Sequence, residues 1–105
     1  MGTVKRVSEK VVQAAVVRCY EAFGCIVYAH SEPRAALVTP GYPDLSVYCP
    51  RRHHFWWHEV KAPKGKLRPS QIAFKRVAES CDETVVVGGL AEARAQLVKI
   101  GLALE

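Results

Sequence analysis

With 105 residues, half of them apolar, the chain can bury one hydrophobic core, about two thirds of the surface its unfolded form exposes, and no second one. Fifteen Lys and Arg against ten Asp and Glu give a net charge of +5, a balance that suits a polyanionic partner. No apolar run approaches the ~20 residues that span a bilayer, and no apolar stretch of a secretory signal follows the basic N-terminus. Cys19, Cys25, Cys49 and Cys81 lack any CxxC spacing, so the expectation is a cytoplasmic, intracellular protein, away from membranes, with buried free thiols.

The first predicted element is a helix over 8–23, with Ser8 as N-cap and Gly24 just past its end. Val12, Val16, Cys19 and Phe23 form its buried stripe, and Glu9 falls roughly 35° from the stripe's centre, so Glu9 leans inward while Glu21 is solvated. A β-branched run over 25–30 predicts the first strand, followed by a turn over 31–34 and a short segment over 35–39. Pro40, Gly41 and Pro43 then bend the chain into Asp44. Strands over 45–49 and 55–61 form a hairpin with an exposed turn at 50–54 that carries Arg51 and Arg52. Pro63 ends the second of them, and Lys64, Gly65 and Lys66 make a basic loop. Pro69 fits the first position of a helix reaching about Ser80, with Phe74, Val77, Ala78 and Cys81 on its core face and Gln71 on its flank. A fully apolar strand over 84–87 predicts a central position, parallel to its neighbour. Gly88 and Gly89 lead to a last helix over 91–99. This order predicts an α/β fold, a mixed sheet flanked by helices, in a single domain over 1–105.

The stretch 41–71 concentrates the chemistry. The hairpin sets Asp44 at the same end as Glu59 and Lys61, which share one strand face while Val60 points to the other. Two carboxylates about 4 Å apart repel by roughly 1 kcal/mol in water and about 4 kcal/mol at an effective dielectric of 20. A hard cation between them turns that repulsion into binding. Taken singly, Asp44 reads as a turn residue, Glu59 and Lys61 as a solvated strand pair, Gln71 as a helix cap, and Glu9 as a complement to the helix dipole. The joint arrangement favours a site. Lys64, Lys66 and Arg68 abut it, where phosphates would lie. Trp57 shares the Glu59 face and suits stacking on a base or flanking the site, and equally a core or dimer contact; Trp56 faces away. His53, His54 and His58 read as turn and surface residues, since with Cys49 they offer no tetrahedral zinc spacing.

These residues resemble the PD-(D/E)xK nuclease superfamily, and within it the small VRR-NUC domain. The resemblance covers nearly the whole chain: an early Glu9, GYPDL around Asp44, EVK at 59–61, GKLRPSQ ending at Gln71, then VVVGG and a closing helix. It implies a restriction-endonuclease-like core of helix, three antiparallel strands, helix, parallel strand and helix. It also implies a Mg²⁺- or Mn²⁺-dependent phosphodiesterase acting on DNA, with stand-alone members of this size similar to homodimeric Holliday-junction resolvases that cut branched DNA. By motif, Asp44 and Glu59 become metal ligands, Lys61 the catalytic lysine and Gln71 the motif glutamine, with Glu9 a further acidic position that reaches the ion through water. Mg²⁺ takes octahedral oxygen ligands and keeps several waters, so the two carboxylates, the backbone carbonyl of Val60 and a substrate phosphate suffice. Arg68 departs from the pattern, standing at a cap position where such domains often carry Ser or Thr.

Two other classes compete with the endonuclease reading. One is a non-catalytic nucleic-acid-binding module on a nuclease-like scaffold, with Arg51, Arg52, Lys64, Lys66 and Arg68 as its contacts; the intact Asp44, Glu59, Lys61 set argues against it. The other is a protein-interaction subunit using an exposed apolar patch near Trp56. A twofold dimer would match the symmetry of a four-way junction, with the apolar surface near 55–57 or on the first helix as its interface.

Overall fold

The computed structural model describes residues 7–30 and 40–104. In chain order the elements are α1 (Glu9–Ala22), β1 (Ile26–Ala29), β2 (Leu45–Cys49), a 3₁₀ turn (Pro50–Arg52), β3 (His54–Val60), α2 (Pro69–Ser80), β4 (Thr84–Gly88) and α3 (Leu90–Lys99). The expected turn over 31–34 and segment over 35–39 lie outside the described residues. The four strands form one sheet in the order β1-β2-β3-β4. β1 and β2, and then β2 and β3, are antiparallel, while β3 and β4 run parallel across the α2 connection. The mixed α/β architecture is the restriction-endonuclease-like fold.

Strand alternation gives the sheet two unlike faces. Leu45, Val47 and Cys49 of β2, with Trp56, His58 and Val60 of β3, point to one face and are buried. α1 and α3 cover it, inserting Val16, Tyr20, Ala93 and Leu97, each with no exposed surface. Full burial of a side chain of the Leu or Val class contributes about 1.5–3 kcal/mol, so this layer dominates the fold. α2 covers only part of the other face, through Phe74 against Trp57 and Tyr42 and through contacts with β4.

Four expectations need correction. β4 is an edge strand rather than a central one; its apolar run is explained by helices on both of its faces, α3 on one and α2 on the other. On α2 the buried positions are Gln71 and Ala78, with Phe74 half-buried, while Val77 is 66% exposed and Cys81 is exposed. Gln71 and Ala78 share one side of the helix at i, i+7, and Val77 lies about 100° round from that side. Cys25 and Cys49 are buried, but Cys19 is only partly so. His58 is fully buried, because it alternates with Trp56 and Val60 toward the core, whereas His53 and His54 stay exposed at the turn.

The ends of the elements follow local chemistry. Ser8 caps α1 by accepting from the Val11 amide at 3.3 Å. Pro69 opens α2 at its first position, where no amide is missed. Arg68 provides no side-chain cap; Gln71 Oε1 instead accepts from the Arg68 amide at 2.8 Å. At the far end of the hairpin, Arg52 Nη2 donates to the Gly101 carbonyl at 2.9 Å and ties the turn to the chain beyond α3.

Candidate active site

The open end of the β2–β3 hairpin brings the predicted acids together. Leu45 pairs with His58, so Asp44, one residue before β2, stands beside Glu59. Asp44 Oδ2 accepts from the Val60 amide at 2.8 Å, which stitches the bend before β2 to the end of β3. The same bend carries Gly41 at φ +90, where a Cβ would meet the Ser70 carbonyl oxygen at 2.2 Å. Only glycine lets this loop lie so close to the start of α2, and that contact brings Gln71 up against the Asp44 loop. Gln71 is buried and its amide oxygen is used as the helix cap.

Glu59 is 4% exposed, and its carboxyl is pushed up to about 9. Burial is the main cause; a hydrogen bond and charge repulsion from Asp44 add to it, Lys61 opposes it, and Glu9 adds a smaller push. Where no cation is bound, the protonated form of Glu59 is therefore favoured beside Asp44. Glu9 is exposed at the first turn of α1 rather than turned into the core, yet its charge reaches Glu59. Lys61 is half-buried just after β3, its amide donating to the Gly88 carbonyl at 3.1 Å. The loop after it folds back so that Gly65 passes close to the Lys61 side chain.

The remaining candidates divide by position. Lys64, Lys66 and Arg68 are exposed on the loop leading from Lys61 to α2, beside the carboxylates. Arg51 and Arg52 lie at the opposite end of the hairpin, and Arg52 is engaged with Gly101. Trp57 is half-buried on the Glu59 face and donates its indole N–H to Glu83 at 2.9 Å.

Single-letter patterning missed a buried polar relay behind the site. The Tyr20 hydroxyl bonds His58 Nδ1 at 2.5 Å, and His58 Nε2 lies 3.0 Å from the Gly88 carbonyl. Since the carbonyl only accepts, Nε2 carries the proton and Nδ1 accepts from Tyr20. Burial holds the imidazole below its ordinary pKa and raises that of the Tyr20 phenol. The relay pins α1 to the ends of β3 and β4, where Glu59 and Gly88 sit. Strict alternation from Trp56 was the signal that could have placed His58 inward. Tyr20→Phe leaves Nδ1 buried without a donor, and an expected loss of about 1–3 kcal/mol follows; urea unfolding of the two proteins measures it.

The donor set fits a hard divalent cation. Among the described residues no three His, Cys, Asp or Glu side chains converge on one point, but Mg²⁺ is usually held by one or two carboxylates and keeps its own water. Asp44 and Glu59 supply such a pair, and a cation there would displace the proton that burial favours on Glu59. No helix among the described residues is long and apolar enough to cross a membrane.

No family model matches the chain, and no curated protein matches it. Among solved structures it is similar to one described as "VRR_NUC domain", at 28% sequence identity and a TM-score of 0.69, covering 87% of this chain and 94% of that one. Fold, strand order and the sequence motifs agree with that likeness, which supports a VRR-NUC domain protein and a nuclease-like domain.

Proposed function

We propose that this protein is a Mg²⁺- or Mn²⁺-dependent DNA endonuclease that prefers branched DNA and works as a homodimer. The observation that carries the reading is the carboxyl pair of half-buried Asp44 and buried Glu59, with Lys61 beside it and an exposed basic loop leading away. Asp44 and Glu59 are the ligands that would hold the ion, together with the Val60 carbonyl, and Glu9 lies close enough to add negative potential. The bound ion supplies Lewis-acid polarisation of the phosphate and a more acidic attacking water. Lys61 orients that water and offsets charge that develops on the phosphate in the transition state. Gln71 holds the start of α2 against the Asp44 loop, and Lys64, Lys66 and Arg68 take the flanking phosphates.

The homodimer follows from symmetry: a four-way junction presents two equivalent strands, and a twofold pair of these small domains presents two equivalent sites. The test is incubation of the protein with linear, flapped, splayed and four-way DNA in Mg²⁺, Mn²⁺ or EDTA, with its mass in solution measured free and DNA-bound. Cleavage of the four-way substrate only with a divalent ion, by a species of twice the chain mass, is expected. Binding without cleavage under every condition would favour the non-catalytic module; a strictly monomeric mass would remove paired cutting.

A further inference from the structure

The sheet face that α2 leaves partly open is aromatic. On it lie Ile26 and Tyr28 of β1, Tyr48 of β2, and Phe55 and Trp57 of β3, joined by Tyr42 from the bend before Asp44. Tyr28 is 57% exposed, Tyr48 44% and Tyr42 40%. The rings form one continuous row: Tyr28 to Tyr48 at 5.9 Å between centroids, Tyr48 to Phe55 at 4.9 Å, Phe55 to Trp57 at 5.0 Å and Trp57 to Tyr42 at 5.3 Å. The interplanar angles run from 46° to 85°, and the exposure of Tyr28, Tyr48 and Tyr42 leaves part of each of those rings open to a further planar group. The row ends at the carboxylates, Tyr42 two residues before Asp44 and Trp57 two residues before Glu59 on the same strand face.

We infer that this aromatic row is a stacking platform for unpaired bases of a single-stranded segment that runs from the carboxylate site across the sheet. The inference rests on the nuclease reading for its choice of guest and extends it to a substrate class, DNA with a single-stranded part. Planar bases stack on aromatic side chains without regard to sequence, because every base has a π-face. Charge selects this occupant over a second copy of the chain. The exposed strand positions of the row carry no formal charge, but Lys64, Lys66 and Arg68 follow the end of β3 that carries Glu59, and Arg51 lies at the hairpin turn beyond Tyr48 and Phe55. A second copy would bring another net charge of +5 to this face, whereas a nucleic-acid strand brings phosphates to the basic side chains that flank it.

The experiment uses the full chain in EDTA, where cleavage plays no part. Affinities are measured for a labelled oligothymidylate of about 16 nucleotides and for a blunt duplex of the same length. Tyr28→Ala with Tyr48→Ala is expected to weaken single-strand binding at least about tenfold, the scale of one lost stacking contact, and to leave duplex binding within about twofold. Both tyrosines are exposed, so the fold should survive, and Tyr28→Phe with Tyr48→Phe should bind as the wild type does. Unchanged single-strand affinity in the alanine variant overturns the platform, as does an equal loss on both DNAs or a fall in solution mass, which would make the face a contact between copies. A protein that stacks single strands through these tyrosines but cleaves nothing in Mg²⁺ would keep the platform and sink the nuclease reading.

Discussion

In Mg²⁺, Glu59→Gln and Asp44→Asn are each expected to lower the cleavage rate by at least about a thousandfold, equivalent to ~4 kcal/mol of transition-state stabilisation, while the fold is retained. Asparagine at 44 keeps an oxygen to accept the Val60 amide, the bond that Asp44 makes at 2.8 Å. Glutamine at 59 imitates the protonated carboxyl that burial and Asp44 already favour there. Both changes therefore remove charge from the ion site and little else. Circular dichroism and a single-turnover cleavage assay check the two halves of this expectation. Full activity in EDTA, or in either variant, would overturn the metal-dependent mechanism.

The second large effect is on stability. The Glu59 carboxyl rises from 4.5 to about 9 in the folded chain, so the native state holds a proton that the unfolded chain has released. The stabilisation is complete below about pH 4.5 and drains away as pH rises to about 9, each pH unit costing at most about 1.4 kcal/mol. His58 works in the other direction, its lowered pKa favouring the fold only above its unfolded value of 6.5. Urea unfolding in EDTA should therefore show wild-type stability falling between about pH 7 and pH 9, with Glu59→Gln flat across that window. Added Mg²⁺ should flatten the wild-type curve, because the ion would replace the proton on Glu59 and favour its ionised form. Identical slopes in the two proteins would mean that Glu59 is ionised when folded.

The carboxylate end of the molecule was legible in the chain because backbone chemistry there leaves few choices. Pro40, Gly41 and Pro43 force a bend, alternation fixes which side of β3 carries Glu59 and Lys61, and Ser8 and Pro69 mark helix starts to the residue. The readings that failed concern which side of an element meets its neighbour. Val77 and Cys81 are apolar, yet α2 is rotated so that Gln71 and Ala78 face inward, a rotation set by the Gly41 contact and by Trp57, both distant in sequence. β4 looked central because a strand covered by helices on both faces is apolar wherever it stands in the sheet. His58 was read with its exposed neighbours at the turn, because its partner Tyr20 lies 38 residues away. Arg51 and Arg52 illustrate the remaining gap: composition grouped them with the basic loop, and only the hairpin's direction separates them from it.

The Tyr20–His58–Gly88 relay also bears on ion selectivity. A histidine directly preceding Glu59 is, by sequence, a nitrogen donor within reach of any ion at that carboxylate. Here its ring points through the sheet to the opposite layer, one nitrogen accepting from Tyr20 and the other donating to Gly88. Its lone pair is spent inside the core. The other imidazole near Asp44, that of His30, is engaged with Ser46, and the carboxylate oxygens of Asp44 and Glu59 that remain are a set that would suit magnesium and manganese better than zinc or copper. By folding His58 away, the core would leave the proposed ion to the carboxylates.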